Sequence, residues 1–210
     1  MIHLRPEEDG VARAANALRD GALVVVPTET VWGVAALASH PTAVDDLVRL
    51  KERPADQPFS LMVPDVDVAR TLWADGLACR RAAQLGRRFW PGSLTLVVDK
   101  SPDAVISPQV APGDTVGVRI PDQPHLLQLL REVGAPLAVP SANLRGAPPP
   151  STLADVQLPD VLPGGRELVV LDAAVDASSM PSSVVRVTDD DLVLFREGAL
   201  TRDVLQQALS

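Results

Sequence analysis

The stretch Leu23–Leu37, "LVVVPTETVWGVAAL", holds two apolar runs separated by Pro27-Thr28-Glu29-Thr30. The first run, Leu23–Val26, has the length and β-branched content of a buried strand. A plain turn after it would use Gly, Asn or Asp. Two hydroxyls and a carboxylate stand there instead, at the strand's carboxyl end.

Outward from this strand, helical and extended patterns alternate. Val11, Ala14, Ala15 and Leu18 recur at helical spacing and predict an amphipathic helix ending near Gly21. Pro41 suits the first turn of a second helix carrying Val44, Leu47, Val48 and Leu50, stopped by Pro54. Asp65–Trp73, Leu77–Phe89 and Pro124–Val133 read as helices, Asp155–Val161 as a poor one, and Thr201–Leu209 as a closing helix with Thr201 as N-cap. Phe59–Val63, Ser93–Val98, Thr115–Ile120, Pro136–Pro140, Glu167–Leu171, Ser183–Val187 and Leu192–Phe195 read as strands. This order predicts an α/β fold with a mixed sheet, in a single domain spanning 1–210.

Composition bounds the function. The chain has 210 residues, 46% hydrophobic and 22% charged, as expected of a folded domain despite 20 prolines. It has no apolar run of membrane-spanning length, and "MIHLRPEEDG" shows no signal-peptide pattern, so no membrane association is expected. The single cysteine, Cys79, cannot form an internal disulfide, and a reducing, cytoplasmic setting is expected. The formal net charge of -8 argues against a broad nucleic-acid-binding face but allows a local basic pocket.

No GxxxxGK[ST] or GxGxxG loop is present. His3, His40, His125 and Cys79 lack metal-ligand spacing, so no metal site is expected. "KERP" puts Lys51 and Arg53 at a helix end. Such cations commonly complement the helix dipole on a solvated surface; an ammonium beside a guanidinium fork also suits a phosphate chain. "PSAN" puts Ser141 and Asn143 just past a short strand, as a turn or as hydrogen-bonding groups at the ligand-binding edge of a sheet. Thr115 and Arg119 share one strand face, and an Arg on a covered face needs a partner or a ligand. Arg196 follows a strand, where a surface turn is the plain reading.

Taken jointly and in order, "VVPTETVWGVAA", "LKERPADQPFSLMV", "RRFWPGSLTLVV", "TVGVRIP", "PLAVPSANLRG", "PSSVVRV" and "LFREGAL" resemble the YrdC-type threonylcarbamoyl-AMP synthases over about Ala12–Ala208. Several segments in the right order are far more specific than any one motif. The resemblance implies a twisted mixed sheet with flanking helices around a large concave pocket. It implies the reaction of L-threonine, bicarbonate and ATP to threonylcarbamoyl-AMP, diphosphate and water, with Mg2+ accompanying ATP. A downstream tRNA threonylcarbamoyl transferase would take the product.

By the same resemblance, Lys51, Arg53, Gln57, Thr115, Ser141, Asn143 and Arg196 belong to the ATP side. Thr30, Arg119, Ser182 and the main chain of Val139 belong to the threonine side, and no catalytic side chain is assigned. Departures from the family pattern are Trp32 for a frequent Tyr, Gln57 for an Asn, Met62 for a His, Pro149 near a Ser, and Arg186 for an acid. The competing classes are an RNA-binding module, disfavoured by the acidic composition, and a carbamoyl-transfer domain of a larger enzyme.

Overall fold

The computed structural model describes residues 1–162, 165–174 and 180–209. Ten strands form one sheet: β1 (Ile2–Leu4), β2 (Val24–Val26), β3 (Gly33–Leu37), β4 (Ser60–Met62), β5 (Leu94–Asp99), β6 (Thr115–Arg119), β7 (Leu137–Ala138), β8 (Val169–Leu171), β9 (Ser183–Val187) and β10 (Leu192–Arg196). Six helices flank it: α1 (Gly10–Arg19), α2 (Pro41–Leu50), α3 (Val66–Thr71), α4 (Leu77–Phe89), α5 (Pro124–Val133) and α6 (Arg202–Gln207). The strand order is β1-β8-β2-β3-β7-β4-β6-β5-β9-β10. Pairs β1/β8, β2/β8, β4/β6 and β5/β9 are parallel, and the others antiparallel, so the sheet is mixed as expected. Among the described residues no helix is long and apolar enough to cross a membrane.

Alternation along β2 shows how the sheet is covered. Val24 and Val26 pack with Val11, Ala14 and Leu18 of α1 and with Leu126, Leu129 and Leu130 of α5. Val25 packs in a second cluster with Val44 and Leu47 of α2, Leu85 of α4 and Leu205 of α6. Both faces are therefore buried, which is why β2 reads as an unbroken apolar run rather than an alternating one.

Helix bounds follow local signals. Pro41 opens α2, whose N-cap His40 accepts from the Ala43 N–H through Nδ1 at 3.3 Å. Gln123 caps α5 by accepting from the Leu126 N–H at 2.7 Å, and Gly134 ends it in the left-handed conformation. Asp65 and Thr201 cap α3 and α6.

Three expectations are corrected. The Pro136–Pro140 strand shrinks to two residues, because both prolines lack the N–H a ladder needs. The helix expected at Asp155–Val161 is absent. A 3-10 turn at Leu153–Asp155, closed by a capping box with Thr152, stands before it, and Pro159 follows. Edge strand β1 was not foreseen, since three residues carry no readable period; it exists because β8 offers a parallel partner.

Leu129 is fully buried in the α1–α5 layer. Leu129→Ala should cost about 2–5 kcal/mol of unfolding free energy, read as a lower urea midpoint at unchanged slope.

Candidate active site

The two hydroxyls after β2 have different tasks. Thr28 Oγ1 accepts from the backbone N–H groups of Thr30 and Val31 at 3.1 Å each and donates to the Val31 carbonyl at 2.6 Å. It is a self-contained hydroxyl turn. That turn projects Thr30, whose Oγ1 lies 2.9 Å from Thr28 Oγ1 and accepts from Arg119 Nη1 at 3.2 Å. The chain then runs into Gly33, where a Cβ would stand 2.6 Å from Val139 Cγ1; only glycine lets β3 approach the segment after β7 this closely.

That segment is held from several sides. The Val34 N–H donates to the Pro140 carbonyl, and the Ala142 N–H to the Trp32 carbonyl, at 2.9 and 2.8 Å. The Trp32 N–H reaches the Pro150 carbonyl at 2.8 Å. Ser141 Oγ donates to Asn143 Oδ1 at 2.5 Å.

Lys51 closes α2 as its C-cap, and Glu52 at φ 44 turns the chain so that Arg53 faces elsewhere. Lys51 is buried, and its ammonium donates to the Ser141 carbonyl at 2.9 Å, to Asn143 Oδ1 at 3.0 Å, and to the Asn143 carbonyl. All three of its donors are thereby engaged. The two signature segments, 90 residues apart, are thus joined directly by the lysine. Burial, then the Arg53 charge, lowers the Lys51 pKa to about 8.

Thr30, Arg53, Met62, Arg119, Val139, Ser141, Ser182 and Arg196 line one cavity of about 180 Å³, with Thr28, Gly33, Ser60, Thr95, Pro149 and Pro181. Asn143 lines an adjoining cavity of about 420 Å³ with Leu144, Ala147 and Asp155, and Pro149 is common to both. Lys51, Gln57 and Thr115 line neither. Lys51 acts behind the wall. The Gln57 carbonyl accepts from Arg53 Nε at 3.0 Å, so its main chain aims the guanidinium. Thr115 sits at the far end of β6, opposite Asp99 of β5. Arg186 pairs with Asp99 through Nη2 at 2.6 Å and lines neither cavity.

Among the described residues, three guanidiniums face the first cavity and none of the lining is acidic. Arg53 lies 4.2 Å over the Phe59 ring and donates to the Pro58 carbonyl. Arg196 donates through Nε to the Ser182 carbonyl at 2.9 Å and through Nη2 to Ser182 Oγ at 3.1 Å. Arg119 pairs with Glu29 at 2.5 Å, whereas Arg53 and Arg196 have no carboxylate within 4 Å among the described residues. Burial pushes the pKa of Arg53 down. Burial, followed by repulsion from Arg119, does the same for Arg196. An anion entering between them relieves that repulsion.

Thr28, Glu29 and Thr95 were missed by sequence reasoning. Thr28 and Glu29 lie in the stretch that drew attention first, but nothing in sequence separates a turn-building hydroxyl from a cavity-facing one. Thr95 is hidden in an apolar strand; its Oγ1 lies 3.2 Å from Ser182 Oγ.

Residues 16–198 match the Sua5/YciO/YrdC family profile, described as "Telomere recombination". The chain is 38% identical over 207 residues to a threonylcarbamoyl-AMP synthase of Bacillus subtilis, spanning 98% of itself and 58% of that protein. It is 34% identical to one of Chromohalobacter salexigens, spanning 84% of itself and 91% of that protein. The crystal structure of Pyrococcus abyssi Sua5 complexed with L-threonine superposes with a TM-score of 0.85 at 32% identity, over 99% of this chain and 60% of that one. The chain therefore spans about three-fifths of the longer relatives it matches.

The buried lysine has a pH signature. Its folded-state pKa of about 8 lies below the ordinary lysine value of 10.5. Between these values the unfolded chain holds a proton that the folded one has released, so stability rises with pH across that window. The unfolding free energy of wild type minus that of Lys51→Met should be level below about pH 8. It should then climb toward pH 10, by at most about 1.4 kcal/mol per pH unit. Urea titrations of both proteins from pH 7 to 10 measure it.

Proposed function

Because the chain belongs to the Sua5/YciO/YrdC family, we propose that it joins L-threonine, bicarbonate and ATP into threonylcarbamoyl-AMP, releasing diphosphate and water. The observation that carries this reading is the cavity: among the described residues, two arginines without carboxylate partners and one with, in a chain of net charge -8.

Three of the five N–H donors of Arg119 are taken, by Gly92 O, Thr30 Oγ1 and Glu29 Oε1. One donor remains on each terminal nitrogen, enough for both oxygens of an amino-acid carboxylate. Thr30 and Ser182 stand beside it with hydroxyls for threonine. Arg53 and Arg196 take the phosphate chain, and the nucleoside extends past Pro149 into the adjoining cavity, since about 180 Å³ does not hold both substrates.

The threonine amine first combines with bicarbonate as a carbamate, releasing water. A carbamate oxygen then attacks the α-phosphorus, and the bond to diphosphate breaks. Among the described residues no histidine, cysteine or carboxylate lines the first cavity, and rate enhancement is assigned to alignment and to cationic stabilisation of the phosphates. No group of three His, Cys, Asp or Glu among the described residues could hold a metal. In this reading Mg2+ enters with the nucleotide, on phosphate oxygens and water. The labile adenylate then passes, in the cytoplasm, to the tRNA threonylcarbamoyl transferase that modifies the adenosine beside the anticodon.

Incubation with ATP, Mg2+, labelled bicarbonate and threonine should yield a labelled acyl-adenylate by mass spectrometry; its absence overturns the reading. Arg53→Ala should slow threonine-dependent diphosphate release at least about tenfold with an unchanged melting temperature, a loss of roughly 1.4 kcal/mol or more in transition-state stabilisation.

A further inference from the structure

Glu29 belongs to neither ligand group of the proposed function, yet among the described residues it makes the one carboxylate contact at the cavity's guanidiniums. Its Oε1 accepts from Arg119 Nη2 at 2.5 Å, and the two side chains are only 18% and 4% exposed. Its other oxygen, Oε2, is buried without a hydrogen-bond partner, so Arg119 is what holds this carboxylate. Arg119 faces the cavity and Glu29 does not: the carboxylate stands behind the guanidinium rather than beside the ligand.

Three contacts set the plane of the Arg119 group: Gly92 O at 3.0 Å from Nε, Thr30 Oγ1 from Nη1, and Glu29 from Nη2. The first two are neutral acceptors. Glu29 supplies the charge-assisted one and offsets the cost of burying a cation before any ligand arrives. Of the three cavity guanidiniums it also neutralises one alone, at the end where a zwitterion would sit, and leaves the phosphate end cationic.

We propose that Glu29 is a positioning residue for carboxylate recognition: by clamping Nη2 of Arg119, it aims the remaining donor on each terminal nitrogen at the carboxylate of the amino-acid substrate. This rests on the amino-acid site assigned above. Loss of the clamp lets the guanidinium rotate and weakens carboxylate-bearing ligands selectively. Gln keeps a carbonyl acceptor at the same place and restores part of the effect, which Ala cannot.

The test is calorimetric, on the whole chain, with L-threonine, L-threoninol (which lacks the carboxylate) and ATP as separate ligands. Glu29→Ala should weaken threonine about tenfold or more, Glu29→Gln by less, and both should leave ATP and threoninol within about twofold of wild type. Unchanged or tighter threonine binding by Glu29→Ala overturns the proposal, as does an equal loss for all three ligands, which marks general collapse of the cavity. If Glu29→Ala does not fold, Glu29→Gln decides alone: threonine must weaken measurably while threoninol does not. A wild type that binds threonine but forms no adenylate overturns the functional reading only; a wild type that binds no threonine overturns both.

Discussion

The site depends on a buried ammonium. Lys51 leaves water at the end of α2, and a charge so placed is tolerated only when its donors are met. They are met by the Ser141 carbonyl and by Asn143 through its carbonyl and its side chain. In satisfying itself the lysine ties a helix end to the segment beyond β7, and the wall carrying Ser141 is fixed where Arg53 can share a cavity with it. A cation that resembles a phosphate ligand in sequence acts here as an internal tie. Arg53, two residues on and past the left-handed Glu52, is the one that faces the cavity.

Charge is distributed unevenly along that cavity. Arg119 is balanced by Glu29, while Arg53 and Arg196 are held by carbonyls, a hydroxyl and an aromatic face. A balanced end suits a zwitterion and an unbalanced end suits a polyanion. The Ser182 hydroxyl lies 3.2 Å from Thr95 Oγ1 and 3.1 Å from Arg196 Nη2, so the unbalanced end carries its own hydrogen-bonded element.

Legibility in the sequence followed the strength of local signals. Leu77–Phe89 and Pro124–Val133 were bounded to the residue: both carry an amphipathic period, and the second is also capped by Gln123 and Gly134. Pro136–Pro140 was overextended, since apolar content outweighed the missing N–H groups of its two prolines. Asp155–Val161 was misread because the capping signal at Thr152–Asp155 closes only a single 3-10 turn there. Most expected site residues line the two cavities, but Lys51, Gln57 and Thr115 do not. Residue type is legible in sequence; which cavity a side chain faces is set by packing.

Apolar period and proline placement determined a two-faced mixed sheet, and the ordered motifs determined the family. Those signals are local, or sum along the chain. Only the tertiary structure decided that Thr28 builds the turn while Thr30 meets Arg119, that Lys51 ties and Arg53 faces the cavity, and that Glu29 stands behind Arg119. The Thr28 turn is local, but the Thr30–Arg119, Lys51–Ser141 and Glu29–Arg119 contacts join groups about 90 residues apart. Whether a buried charge finds a partner is a property of the packed chain and not of its neighbours in sequence.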